Sequence, residues 1–429
     1  MVSVMKRSPI RFVVAVGILS FAGLASRASA APMCDTDNGG ITLPSGFCAM
    51  VVADNLGAAR HAVVAANGDL YVALQGGHGQ KGGIVALHDS KGDGHFDIEE
   101  QFGDDSSTGI VLHNGYLYIA RPESVIRYKM TPGQLKPTGE AEVVVSGFPS
   151  EREHRDKGLT FDNKGSFYVN VGAPSNACQS RDRQAGVPGM DPCPILEKHG
   201  GVWQFDENKL GQKQEDGVRF ATGLRQFPAL TWHDGAVYIV MNNRDQLDTL
   251  WPEKFNAEDN ATRPAEPMYR AVLGSNFGWP YCVFDYTQQK LVLNPEYGGD
   301  GKAVGRCTQY TLPIASYPAH WAPVDVAFYS GSQFPAHYRG GAFIAFHGSW
   351  NRAPMPQAGY NVTFQPFANG KPSGKFEVFA SGFPGKTPLM VPNDAAARPD
   401  GIAQAPDGSI YITDSQKGKI WRVFYRGGE

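Results

Sequence analysis

Four polar stretches carry the residue types that could do chemistry in this chain. The first is Glu151-Arg152-Glu153-His154-Arg155-Asp156-Lys157, directly ahead of Gly158-Leu159. His154 suits a general base, because an imidazole changes charge near working pH. Its bland alternative is an exposed side chain in a solvated loop. The second stretch is Gly223-Leu224-Arg225-Gln226, with Asn242-Asn243-Arg244-Asp245 one apolar run later. Arg225 offers a planar fork to an anionic or carbonyl oxygen; a surface ion pair is the plainer reading. Asn243, Arg244 and Asp245 bring the side-chain and main-chain oxygens that suit a hard cation such as Ca2+. The third is His347-Gly348-Ser349-Trp350-Asn351-Arg352. Gly348 and Trp350 would let a flat ligand approach, and Arg352 could grip a carboxylate. The fourth is Arg398-Pro399-Asp400-Gly401.

These stretches need elements to hold them, and a recurring phrase supplies the elements. Gly, a variable residue, an apolar residue, Tyr, and Val or Ile recur at Gly68, Gly115, Gly165, Gly235 and Gly408. A sixth copy at Gly341 keeps the shape but has Ile344 in place of the Tyr. Each copy reads as a hairpin turn feeding a buried strand. Starts at 68, 115, 165, 235, 341 and 408 are separated by 47, 50, 70, 106 and 67 residues. The first two spacings fit bare four-stranded propeller blades; the others require insertions. Two insertions stand out, 173–200 and 245–325, both rich in Gly and Pro. Long amphipathic helical patterns are missing. The expectation is an all-β, six-bladed β-propeller with loop insertions, one domain over 31–429. Every polar stretch adjoins a repeat strand, where a propeller presents a site.

Composition narrows the function classes. Residues 1–30 read as a cleaved signal peptide: basic Lys6, Arg7 and Arg11, apolar Phe12 to Ala25, then Ala28-Ser29-Ala30. This predicts export to a periplasmic or extracellular compartment, with no membrane span once the signal is removed. Its loss removes four of 39 Lys+Arg and none of 42 Asp+Glu, leaving 35 − 42 = −7. That charge argues against nucleic acid as a partner. Cys34, Cys48, Cys178, Cys193, Cys282 and Cys307 suggest three disulfides. Many pairings are open; nearest neighbours would each close a local loop. None forms CxxC or CxxCH. Asp89-Ser90-Lys91-Gly92-Asp93-Gly94 opens like a Ca2+ loop, but Lys91 stands where a ligand belongs, so a tight turn is favoured. Asn260 and Asn361 head incidental N-x-Thr sequons.

The chain resembles the glucose/sorbosone dehydrogenases that use pyrroloquinoline quinone (PQQ). Ala345 to Arg352, AFHGSWNR, is similar to the hallmark of the L-sorbosone dehydrogenase branch. The resemblance covers about 40 to 425 and implies a six-bladed propeller. His154, five residues before Leu159, matches the spacing of the general-base His in soluble quinoprotein glucose dehydrogenases; Glu153 replaces an Asp. Gly223-Leu224-Arg225-Gln226 matches Gly-x-Arg-Asn, with Gln226 one methylene longer. The stretch aligned with Asn242 to Asp245 binds Ca2+ through main-chain carbonyls in that family. Arg352 stands in for a lysine that grips PQQ. Arg398 aligns with a cofactor arginine, and Asp400 occupies the place of a second.

The resemblance implies a periplasmic quinoprotein that oxidises an aldose or sugar aldehyde of the glucose/sorbosone class. His154 would take the substrate proton and Arg225 would stabilise developing negative charge. Arg225, Gln226, Trp350, Arg352 and Arg398 would hold PQQ, and Ca2+ would polarise it. An external electron acceptor is implied, since the chain has no haem motif. Two rival readings share the scaffold: a Ca2+-dependent lactonase-like hydrolase, and a non-catalytic propeller that binds a sugar or envelope partner.

Overall fold

The computed structural model describes residues 1–5, 33–77 and 79–427. Residues 6–30 of the expected signal segment lie outside them. No helix among the described residues is long and apolar enough to cross a membrane.

Six sheets form the six blades of a propeller, antiparallel except where the two-residue strands Gln212–Lys213 and Ser275–Asn276 add in parallel to two of them. Their innermost strands are Ala59–Val64, Ile110–His113, Leu159–Phe161, Gln226–His233, Pro323–Phe328 and Pro399–Gln404. Each pairs with a second strand that carries the repeat phrase: Leu70–Leu74, Tyr116–Ala120, Ser166–Val171, Ala236–Asn242, Ala342–Phe346 and Ile410–Asp414. These second strands are almost wholly buried, and their Tyr71, Tyr118, Tyr168, Tyr238 and Tyr411 pack between blades. Branched and aromatic side chains on a twice-covered sheet are what such burial selects.

Five repeat glycines turn the chain with positive φ between 78° and 102°. The sixth works differently. At that blade Gly340 takes the positive φ of 74°. Gly341 instead leaves room for Phe364, which a Cβ would meet at 2.2 Å.

The ring is closed by exchange. Phe47–Ala53, near the start of the described domain, pairs with Ile420–Tyr425 and becomes the outer strand of the last blade. This covers an edge that would otherwise be open. Cys34–Cys48 fastens the same strand, while Cys178–Cys193 and Cys282–Cys307 staple the insertions. The nearest-neighbour pairing is therefore the one observed. The 245–325 stretch is not a single loop, because Glu266–Ala271 and Ala315–Tyr317 run through it as strands of the fourth blade. Asp89 accepts the N–H groups of Gly92, Asp93 and Gly94, so 89–97 is a tight turn stitched by its own carboxylate. Asn260 and Asn361 are buried.

Antiparallel register decides where the chemistry gathers. The start of each innermost strand lies beside the end of its second strand, as in Ala59 opposite Leu74 and Gln226 opposite Asn242. Chain entering an innermost strand and chain leaving a second strand therefore share one face. The repeat glycines turn at the other. All four polar stretches lie on the first face. Below them the channel between the innermost strands holds a cavity of about 320 Å3, lined in part by His61, Thr160, Asp325 and Gln404.

Candidate active site

His154 sits on the loop that enters the third blade, with a left-handed φ of 56°. Its Nδ1 lies 2.5 Å from the main-chain oxygen of Ala173. A carbonyl can only accept, so Nδ1 carries the hydrogen and Nε2 keeps its lone pair. Burial, and then the Arg225 charge, push the His154 pKa down to about 4. The imidazole is therefore a neutral acceptor at working pH. Gly172 makes this packing possible: a Cβ there would meet the His154 oxygen at 2.4 Å and Gln226 Oε1 at 2.5 Å.

Arg225 is 2% exposed. It donates to the Asn243 main-chain oxygen at 2.7 Å and to Asp245 Oδ2 at 2.6 Å. Asn351, from the third polar stretch, donates to Asp245 Oδ1 at 2.7 Å. Burial opposes ionisation of Asp245, but Arg225 and Arg183 hold its pKa at about 2. Behind this pair lies Glu266, which accepts the N–H of Asn243 and of Ala322. Burial raises the Glu266 pKa to about 8.

A second polar group lies across the channel mouth. Arg398 donates to the main-chain oxygens of His347 and Gly348 at 3.1 and 2.5 Å. Asp400 is fully buried and pairs with Arg60 at 2.8 Å. Burial raises its pKa to about 6. His347 Nε2 meets Ser415 Oγ at 2.6 Å. Burial, and then Arg398, hold the His347 pKa well below the usual value.

The structure thus brings together His154, Arg225, Gln226, Asn243 and Asp245. Arg398 stands with the second group. The remaining candidates lie elsewhere. Arg244 turns away from the channel into a buried bidentate pair with Glu296, at 2.6 and 3.1 Å. Arg352 rests on the main-chain oxygens of Ala261 and Pro356, at 2.5 and 3.1 Å, and so fastens its own loop. Trp350 is 53% exposed on the rim.

The oxygens of Asn243 and Asp245 face protein donors rather than an open cation site. The Asn243 oxygen and the Asp245 carboxylate are taken by Arg225. The Asp245 main-chain oxygen is taken by Asn176 Nδ2 at 3.0 Å. A guanidinium supplies here the positive charge that the sequence reading gave to a metal. Among the described residues, no group of three or more His, Cys, Asp or Glu side chains could hold a metal ion. The buried atoms left without partners are of both kinds: Arg60 Nε, Arg225 Nε and Asn243 Nδ2 lack acceptors, while Gln226 Oε1, Asn351 Oδ1 and Asp400 Oδ1 lack donors, so the site suits a ligand that offers both acceptors and donors.

Sequence reasoning missed Arg60, Asn176, Arg183 and Glu266. Arg183 comes from the 173–200 insertion and donates to Asp245 Oδ2 at 3.1 Å and Glu153 Oε2 at 3.2 Å. The four act through partners far away in sequence, so no local spacing marks them.

Comparison with known proteins agrees with this architecture. The chain belongs to the TrAA12-like family, whose pattern matches residues 41–426. It is 24% identical over 277 residues to a pyrroloquinoline quinone-dependent pyranose dehydrogenase of Coprinopsis cinerea, covering 56% of this chain and 36% of that protein. The holo form of the C. cinerea pyranose dehydrogenase PQQ domain superposes with a TM-score of 0.71 at 18% identity, covering 93% of this chain and 99% of that one. The calcium structure of Trichoderma reesei carbohydrate-active enzyme family AA12 gives 0.72 at 16% identity, covering 93% and 99%. At these identities the structural likeness establishes the fold. The chain spans half or less of the curated relatives it matches, at 50% and 36% of their lengths.

Proposed function

We propose that this chain is a PQQ-dependent sugar dehydrogenase that oxidises an aldose or sugar aldehyde outside the cytoplasm. The observation that carries the reading is His154, with Nδ1–H fixed on Ala173 and Nε2 unprotonated, beside the buried Arg225. Family membership and the PQQ dependence of the C. cinerea relative support the cofactor.

His154 Nε2 accepts the proton of the substrate hydroxyl. Its low proton affinity keeps it neutral and ready, and also limits its driving force. Arg225, held by Asn243 and Asp245, is a preorganised cation for the oxygen on which charge develops. PQQ, when bound, supplies the two-electron acceptor for the substrate's hydride. Arg225 and Arg398 are the cations assigned to its carboxylates, with Gln226 and the Asn243 amide as neighbours. Trp350 offers an exposed face at the rim, and Arg352 steadies its loop. The electrons then leave to an external acceptor. A Ca2+-dependent lactonase has less support, since it needs acidic side chains converging on one ion and no group of three or more does so among the described residues.

The test is titration of the mature protein with PQQ by calorimetry, with and without Ca2+, followed by dye reduction with glucose, other aldoses and sorbosone. Saturable PQQ binding and sugar-dependent dye reduction are expected without added Ca2+. Absence of PQQ binding in both conditions overturns the reading.

A further inference from the structure

His154 stands on a loop with no regular structure, and its side chain has one direct hydrogen bond, to Ala173. Its backbone sits in the left-handed region, with φ at 56°. A β-carbon-bearing residue persists there only when its surroundings over-determine it. The acidic residues on either side of His154 show what does so. Glu153 Oε2 accepts from Arg183 NH2 at 3.2 Å, and the other terminal nitrogen of Arg183 reaches Asp245 Oδ2 at 3.1 Å and Gln246 Oε1 at 3.1 Å. Asp156 Oδ2 meets Arg60 NH2 at 3.2 Å, while Arg60 NH1 reaches Asp400 Oδ2 at 2.8 Å.

We propose that Arg183 and Arg60 are positioning residues for His154, each spanning two carboxylates so that the loop 151–156 is fixed from both sides. This inference rests on the reading of His154 as the base. One bridge ties the loop to the Arg225–Asp245 pair. The other ties it across the channel mouth to the strand that follows Arg398. A guanidinium suits the task because its forked donors lie at a fixed separation, which an ammonium cannot reproduce. Both bridges start from rigid ground. Arg60 lies on an innermost strand and is 6% exposed. Arg183 lies within the loop closed by Cys178–Cys193. Asn176, two residues before that loop, is tied to the site by reciprocal bonds with the Asp245 main chain, at 2.9 and 3.0 Å. Neither arginine need touch substrate; their effect reaches the reaction through the imidazole.

The readout is the tautomer of His154, recorded by long-range 1H–15N spectra of the histidine-labelled protein without PQQ or sugar. A His154→Ala spectrum assigns the signals. Wild type should show one protonated Nδ1 and one unprotonated Nε2. Arg183→Gln removes a charge on a side chain that is only 23% exposed, while keeping a polar stem. Arg60→Lys keeps a cation on buried Asp400, so it avoids stranding that carboxylate. Both variants should show averaged nitrogen signals, with the circular dichroism of the wild type. In the PQQ-loaded enzyme each should lower kcat about 100-fold with little change in KM, the scale expected when a reacting group is misplaced by roughly 1 Å. A folded variant with the wild-type His154 pattern removes that bridge from the proposal; the wild-type pattern in both overturns it. These spectra need no cofactor, so they stand apart from failure of the dehydrogenase reading, which PQQ titration reports.

Discussion

His154 and Arg225 meet through one residue, Ala173. The imidazole donates to the Ala173 oxygen at 2.5 Å, and the Ala173 N–H donates to the Arg225 main-chain oxygen at 2.7 Å. The His154 side chain and the Arg225 main chain are therefore coupled through the single residue Ala173, two positions past the strand Ser166–Val171.

Gly172, just before that residue, should tolerate no side chain. In Gly172→Ala the new methyl would meet the His154 backbone oxygen at 2.4 Å, which a main chain cannot yield cheaply. The expected outcome is a folded propeller that binds PQQ but turns over about 100-fold more slowly. Steady-state kinetics and PQQ calorimetry on the same preparation check it.

Removal of Arg225 should cost stability as well as activity. Arg225→Ala leaves Asp245 with one cation fewer in a buried setting, and such breaks cost about 3–5 kcal/mol. Arg183 still faces Asp245, so the lower end of that range is expected. Urea unfolding measures it. Arg225→Lys should recover only part, because one ammonium cannot hold both the Asn243 oxygen and Asp245.

The acid limb of activity should lie low. His154 must be unprotonated to act, so kcat/KM should fall as pH drops through about 4, where burial and Arg225 place its pKa. The same shift has a stability sign. The folded-state pKa lies below the ordinary histidine value of 6.5, so the unfolded chain takes up the proton first. This contribution to stability is complete above pH 6.5 and is lost as pH falls toward 4. A pH–rate profile and thermal melts across this range test both statements.

Glu266 should give the opposite sign. Burial raises its pKa from 4.5 to about 8, so the unfolded chain loses this proton first as pH rises. Its contribution to stability is full below pH 4.5 and is lost as pH climbs through 8. Glu266→Gln should flatten the fall in Tm between these limits. An unchanged slope would show that another group titrates there.

Much of this was legible in the chain because repeated turns are local. The Gly-x-apolar-Tyr phrase marked the second strand of each blade, and the polar stretches did fall together on one face. The sixth copy differed because Gly341 serves packing against Phe364 rather than the turn. The candidate cluster was legible where a residue's own segment carries it to that face, as with His154, Arg225 and Arg398. It was not legible where the partner comes from another blade. Nothing near Arg60 announces Asp400, 340 residues later. The stretch Asn243 to Asp245 was read as a metal site because oxygens that face a guanidinium look, in sequence, like oxygens that face a cation. Only the fold shows that Arg225 fills that place.

Whether His154 is the base of a PQQ-dependent dehydrogenase is decided by one comparison. Wild type and His154→Ala are loaded with PQQ, mixed with excess glucose or another accepted aldose, and followed by the absorbance of the cofactor. Equal PQQ affinity is expected, with a loss of about 100- to 10,000-fold in the rate of cofactor reduction, the range for removing a general base. Equal reduction rates in the two proteins would contradict that role for His154.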